Sequence, residues 1–567
     1  MSLTCDVLVA GSGAGGFAAA LTARLHGLDV LMVEKEPLFG GTTAYSAGVI
    51  WIPRNSHQQA AGVSEQPGDA MTYLMSHVGN RLDRARAESF LQNAPEMLDF
   101  FERHDFVSYD LAATWADYHP DEPGGAKGGR SLVPNEFDGR KLGPWFGRLR
   151  PALKTMMPLG GMMVGRNDLP HVFHMTRSAK SALHVARMVA RHARDRLSYS
   201  RGTRLVNGNA LIAQLAHNAF ARGVRLWLSA PVVELVVEDG RVTGAEVDRD
   251  GRRVMVKTRR GVVLACGGFP ANDELKRRIY PHLAAGKNHV LLPPEGNCGD
   301  SLRLVASVGG HLMEEVHQPA AWTPVSLVPQ ADGSLAPFPH FFDRGKPGYI
   351  SVDRRGRRFV NEAKSYHVYV PAMIEACRSD PVVEAWVVCD HRAIRRFGLG
   401  ALGPAPMRIQ PFLKSGYVKR GRTVRALAEA CGIDAVGLEQ TIAAFNGPAN
   451  RGEDPEFQRG SDAYQRFNGA PDHKPNPCIA PLDTPPFYAV RVAPSELGTF
   501  AGIATDANGH VIDRDGRPVE GLYAVGNDAV SVMGGTYPAA GITIGPALTF
   551  GYVAGRHLAG VSQSAER

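Results

Sequence analysis

The chain has 567 residues, 44% of them hydrophobic and 21% charged, a globular composition that excludes a disordered chain. That length exceeds one ordinary core and accommodates two large domains. The net charge of +7 is modest and excludes no class of partner by itself. Seven scattered cysteines without a CxxC pair suit reduced thiols better than a disulfide framework or a zinc site. The first residues carry no basic n-region or cleavage site, and no window approaches about eighteen uninterrupted apolar residues. The expected location is therefore the cytoplasm.

Residues 5–10 read as a short buried strand, and Gly11-Ser-Gly13-Ala-Gly15-Gly16 follows at once. A helix over Phe17–His26 and a second strand over Asp29–Val33 come next, ending at Glu34. Strand, glycine turn, helix, strand and acid form the order of a dinucleotide-binding βαβ unit. Gly11 permits the tight turn, Gly13 lets backbone approach a pyrophosphate, and Gly16 lets helix and strand pack closely. Glu34, 23 residues after Gly11, is expected to bind ribose hydroxyls.

Residues 150–200 read as an insertion. Met156, Met157, Met162 and Met163 lie close together, and a helical pattern follows over Ser178–Leu197. Leu183, Ala186, Ala190, Ala193 and Leu197 form its apolar stripe; His184, Arg187, Arg191 and Arg194 form a basic one. A basic amphipathic helix beside a Met-rich patch is the pattern of an interfacial anchor; a surface helix lidding the core is the alternative. Peripheral attachment to the inner face of the membrane is expected from it. No nucleic-acid motif accompanies the basic residues, so nucleic acid is not an expected partner.

Val232–Val237 and Val242–Val247 read as a hairpin around Gly240, and Val262–Cys266 as a strand entering Gly267 and Gly268. Residues 316–497 are richer in proline, with breaks at Pro404–Pro411 and Pro471–Pro486, and hold no second fingerprint. Gly521–Gly526 with Asn527 repeats the strand-and-turn pattern, and an apolar helix is expected over Ile542–Leu558. A cofactor domain that opens the chain and closes it must be discontinuous. The twenty histidines show no ligand spacing, so no metal is expected; His119 reads as a polar rim residue.

The N-terminal fingerprint, Gly40-Gly-Thr-Thr-Ala-Tyr-Ser46-Ala-Gly48, the Gly526-Asn527 turn and the closing helix resemble the FAD-dependent fumarate reductase/succinate dehydrogenase-like superfamily. Within it the chain resembles the 3-ketosteroid Δ1-dehydrogenases. Four motifs carry that narrower resemblance: Asp117-Tyr118 before Gly129-Arg130-Ser131, Phe359–Glu362 before Tyr366, Leu497-Gly498-Thr499, and Tyr537-Pro-Ala-Ala-Gly541. Ala539 and Ala540 depart from the commoner Tyr-Pro-Gly-Pro-Gly, which puts the shape of that loop in question more than its chemistry.

The resemblance implies an α/β fold: a discontinuous Rossmann-like FAD-binding domain (1–315 and 498–567) with an inserted α+β catalytic domain (316–497). It implies non-covalent FAD held by Gly11, Gly13, Ala14, Gly15, Gly16, Glu34, Lys35, Gly41, Thr42, Thr43, Ser46, Ala47, Gly48, Val233, Gly267, Gly526, Asn527, Ile544 and Gly545. It implies an active site of Tyr118, Tyr366, Tyr537 and Gly541. Tyr366 is the expected base for the C2 proton of a 3-oxosteroid, assisted by Tyr118. Tyr537 and the Gly541 N–H are the expected donors to the carbonyl oxygen, and flavin N5 the expected hydride acceptor. A quinone-like external acceptor would reoxidise the flavin. The insertion suggests that long-chain substrates such as cholest-4-en-3-one are taken with androstenedione-like ones. A Δ4-dehydrogenase, an enoate reductase on the same scaffold, and a flavin module without turnover are the alternatives. A fumarate-type reductase is disfavoured, because a phenol and a backbone donor do not make an arginine clamp for carboxylates.

Overall fold

A computed structural model describes residues 2–405 and 409–561. Met1, residues 406–408 (part of the expected Pro404–Pro411 break) and residues 562–567 lie outside the described residues. The first strand runs over Ser2–Ala10, earlier than residue 5, because Ser2–Cys5 already pair with Met255–Thr258. The chain turns at Gly11, whose φ of +107° no side chain adopts easily. The helix then spans Ala14–Leu25. It begins before Phe17 because Gly16 packs on the turn: an added Cβ there would stand 2.2 Å from the Gly11 carbonyl oxygen.

The larger sheet runs His510–Ile512, Pro518–Ala524, Arg252–Leu264, Ser2–Ala10, Val30–Val33, Arg225–Trp227. Along this order every pairing is parallel except that of the edge strand His510–Ile512. The hairpin Val232–Glu238/Arg241–Arg249 pairs antiparallel with Arg252–Leu264. The closing helix, Ile544–Ala559, lies against Ala14–Leu25 at glycine-to-backbone distance. A Cβ on Gly551 would come within 2.5 Å of the Gly15 carbonyl oxygen, and one on Gly555 within 2.7 Å of Thr22 Cβ.

A second sheet is antiparallel, in the order Leu335–Pro339, Ala320–Pro329, Phe487–Thr499, Ala385–Cys389, Tyr349–Val352. Val418–Gly421 also pairs with Phe487–Thr499. The helix Tyr366–Ala376 packs against Ala320–Pro329.

The inserted helix spans Ala179–Asp195, and its orientation is the reverse of an ordinary surface helix. Leu183, Ala186, Ala190, Ala193 and Leu197 all face solvent, Leu197 at 85% exposure, whereas Ser181, His192 and Asp195 are buried. Polar anchoring sets this orientation. Asp195 Oδ2 accepts from the Thr203 backbone N–H and hydroxyl, both at 2.8 Å, and His192 Nε2 donates to the Leu159 carbonyl at 3.0 Å. Met156 and Leu159 are exposed, while Met163 is buried. Among the described residues no helix is long and apolar enough to cross a membrane.

Candidate active site

The C-terminal ends of three central strands, Ser2–Ala10, Val30–Val33 and Pro518–Ala524, open into one large cavity. Sixteen of the residues expected to hold the cofactor line it: Gly11, Gly13, Ala14, Gly15, Glu34, Lys35, Gly41, Thr42, Thr43, Ser46, Ala47, Gly48, Gly267, Gly526, Asn527 and Ile544. Three do not. Gly16 is a packing glycine, as described. Gly545 spends its N–H on the Gly541 carbonyl at 2.9 Å, and its α-carbon packs on Trp51. Val232, not Val233, reaches the cavity, because neighbours on a strand point to opposite faces.

The lining fits a dinucleotide's phosphates. At Gly13, Gly41 and Gly526 an added Cβ would meet no heavy atom nearer than 3.7 Å, so bare backbone faces open cavity at all three. Glu34 lines the cavity just after the strand Val30–Val33. Its Oε2 accepts from the Ser12 N–H at 3.2 Å and the Ser12 hydroxyl at 2.5 Å, and its Oε1 accepts from the Glu36 N–H at 3.0 Å. Burial pushes the Glu34 carboxyl above its usual range. Lys35 pairs with Asp300, which also lines the cavity. Asn297 and Asp528 had no signal in the sequence. The Asn297 amide donates to Thr42 Oγ1 at 2.9 Å, and Asp528 ties the turn after Leu264 by accepting from the Cys266 and Gly268 N–H groups.

At the other end, three tyrosines from distant parts of the chain meet. Tyr118 and Tyr366 hydroxyls are 2.8 Å apart. The Tyr537 ring stacks on Tyr118 at 5.5 Å and stands edge-on to Tyr366 at 5.2 Å. All three are buried and line the cavity, with Gly541 and Ala540. Burial pushes the Tyr118 and Tyr366 phenols well above their ordinary pKa; Tyr118 and Tyr537 raise Tyr366 further, whereas the hydrogen bond with Tyr366 works against the rise at Tyr118. Burial also raises Tyr537, against a hydrogen bond from Tyr366. The Gly541 N–H donates to no protein acceptor among the described residues, so it is free to serve a bound oxygen.

Local geometry explains why these groups hold still. Tyr118 follows Asp117, a fully buried carboxylate bonded to the Trp51 indole at 2.9 Å and to Arg130 at 2.7 Å. The Asp117-Tyr118 and Gly129-Arg130-Ser131 motifs are therefore two halves of one ion pair. The Tyr118 N–H donates to the Pro538 carbonyl at 2.8 Å, which fixes it against the Tyr537 loop. Gly498 is required beneath Asn527, where an added Cβ would stand 2.1 Å from the Asn527 amide. Trp115, Leu153, Phe341 and Phe342 complete the apolar wall. None of them was legible beforehand, because a cavity-lining aromatic reads like a core residue.

The chain matches the FAD binding domain family over residues 6–544. It is 42% identical over 566 residues to a 4-oxocyclohex-2-ene-1-carboxylate 5-dehydrogenase of Sinomonas cyclohexanicum, covering 100% of this chain and 95% of that protein. It is 36% identical over 567 residues to a 3-oxosteroid 1-dehydrogenase of Mycobacterium tuberculosis, covering 98% of each. Among solved structures it resembles the 3-ketosteroid delta1-dehydrogenase from Sterolibacterium denitrificans in complex with 1,4-androstadiene-3,17-dione. The TM-score is 0.90 at 36% identity, covering 98% of this chain and 99% of that one.

Proposed function

Because the chain belongs to the FAD binding domain family and is an FAD-dependent oxidoreductase, we propose that it desaturates ring ketones, converting 3-oxo-4-ene steroids to 3-oxo-1,4-dienes. The observation that carries this reading is the convergence of three buried phenols and the unengaged Gly541 N–H at one end of the cofactor cavity.

The Tyr537 hydroxyl and the Gly541 N–H hold the carbonyl oxygen and stabilise the charge it gains as the proton leaves. One such donor contributes about 2.7–4 kcal/mol to a transition state. Tyr366 takes the C2 proton, which the carbonyl acidifies, and Tyr118 passes it on across the 2.8 Å contact. The stacked rings and the apolar wall keep water from the enolate. FAD, held between the glycine turns, supplies the hydride acceptor. The cofactor-binding part is assigned to 1–315 and 498–567, the catalytic part to 316–497, and reoxidation to an external acceptor of the quinone class. The solvent-facing apolar stripe of Ala179–Asp195, beside Arg187 and Arg194, supports peripheral membrane association and acceptance of cholest-4-en-3-one-like substrates.

A second reading takes a monocyclic 4-oxocyclohexene-1-carboxylate, the class named for the relative at 42% identity. Ring A of a 3-oxo-4-ene steroid is the same six-membered enone, so the tyrosine chemistry carries over unchanged. The observation favouring it is Arg166. This guanidinium stands 5.1 Å from the ring of Trp115, a cavity-wall residue, and makes no ion pair among the described residues.

Steady-state turnover with an artificial electron acceptor tests the steroid reading. Steroids of increasing C17 chain length should each yield a product lighter by two hydrogens. Failure to make any 1,4-diene would overturn it.

A further inference from the structure

Outside the cavity, on the far side of Tyr118, the fold brings together three side chains that no mechanism step uses. His77 lies in the last turn of the helix Asp69–Val78, and His119 and Glu122 lie on the loop that follows Tyr118. His77 Nε2 is 3.2 Å from Glu122 Oε2, and His119 Nδ1 is 3.8 Å from Glu122 Oε1. One ligand atom from each residue falls within a group whose members are all within 4.8 Å of one another. His77 Nε2 is buried and has no hydrogen-bond partner, since the approach to Glu122 lacks hydrogen-bond geometry. We propose that His77, His119 and Glu122 form a site for a divalent cation of the zinc class.

The dimensions suit that ion. Ligand bonds of about 2.0–2.2 Å in a tetrahedron place donor atoms roughly 3.3 Å apart. The His77–Glu122 edge already has that length, and rotation of the Glu122 side chain, 42% exposed, shortens the His119–Glu122 edge. Two imidazoles and one carboxylate are the donor set of an open zinc site, with the fourth position left to water. A hard cation such as Ca²⁺ or Mg²⁺ prefers an all-oxygen set.

The backbone holds the loop in this place. The Glu122 N–H donates to the His119 carbonyl at 3.2 Å, and the Gly125 N–H to the Glu122 carbonyl at 2.8 Å. Gly124 is pressed on the helix, where an added Cβ would stand 2.1 Å from the Asp69 carbonyl oxygen. Tyr73, one turn before His77, accepts the His119 N–H at 3.3 Å and donates to the Pro538 carbonyl at 2.7 Å. The ion therefore pins the loop carrying Tyr118 to the helix that braces the Tyr537 loop.

The test is calorimetric titration of ZnCl₂ into chelator-treated, FAD-loaded protein, with Glu122→Gln and His77→Gln as variants. Since loss of even an outer partner weakens metal sites by about 10–100-fold, each variant should bind Zn²⁺ at least about tenfold more weakly while keeping its FAD. Mg²⁺ should give no matching heat. Glu122→Gln changes an exposed side chain, so its result stands even if His77→Gln fails to fold. No uptake by the native chain, or the same affinity in Glu122→Gln, would overturn the proposal.

Discussion

Gly541→Ala displaces the backbone donor together with the loop that carries it. The residue has φ of +99°, and an ideal Cβ there would stand 2.5 Å from the Ile50 carbonyl carbon, 2.6 Å from the Trp51 nitrogen and 2.7 Å from the Ile50 Cα. These are backbone atoms of the short strand Ile50–Trp51, which is paired to Ser131–Leu132 and held through the Trp51 indole by Asp117. They cannot rotate away. Ordinary contact begins at 3.4 Å, so the loop must retreat by nearly an ångström at its closest point. A misplacement of that size costs about 10²-fold, or about 2.7 kcal/mol. That agrees with about 2.7–4 kcal/mol for loss of one donor to a developing oxyanion. The assay is anaerobic stopped-flow reduction of the flavin by steroid, with FAD content measured on the same sample. Reduction within about threefold of wild type, at full FAD content, would refute the role given to the Gly541 N–H.

Tyr366→Phe should lower flavin reduction by about 10²–10⁴-fold and leave steroid affinity nearly unchanged, because only a hydroxyl is lost. Tyr537→Phe should damage both rate and affinity, since its donor also holds the ground-state carbonyl. Burial holds Tyr366 above the ordinary phenol range, so its proton-accepting form is scarce at neutral pH and increases as pH rises. The reduction rate should therefore climb from about pH 7 to 9, below the free phenol's pKa of about 10; a level profile would contradict the base assignment. Arg166→Ala should raise KM for 4-oxocyclohex-2-ene-1-carboxylate and leave KM for a neutral steroid unchanged; equal effects on both would remove Arg166 from recognition. Anionic liposomes should co-sediment the native chain and not a variant with Arg187, Arg191 and Arg194 changed to Glu, at about 1 kcal/mol per basic residue. Equal sedimentation would leave the inserted helix as a lid.

The cofactor end was legible because its constraints are local. A tight turn, a close backbone approach and close packing of helix on strand impose glycines at fixed spacing, and Gly11, Gly13 and Gly16 meet them within a few residues. The three tyrosines of the cavity were not legible in that way. Tyr118, Tyr366 and Tyr537 are far apart in sequence, and only a family resemblance joined them before the fold brought their rings together. Asp117 and Arg130 are similar: a buried ion pair is invisible until both partners are placed. The helix Ala179–Asp195 shows where periodicity misleads. Its apolar stripe is present, but Asp195 and His192 make the hydrogen bonds that decide which face turns inward. The His77, His119 and Glu122 cluster has no motif spacing, because its parts belong to a helix end and a separate loop.

Ring-ketone dehydrogenation is tested most directly by an anaerobic single turnover of FAD-loaded protein with 4-androstene-3,17-dione and, separately, 4-oxocyclohex-2-ene-1-carboxylate. A ring enone should bleach the flavin stoichiometrically and be recovered lighter by two hydrogens, and Tyr366→Phe should abolish the bleaching. A flavin that stays oxidised with both ketones, yet is reduced by dithionite, would contradict ring-ketone dehydrogenation.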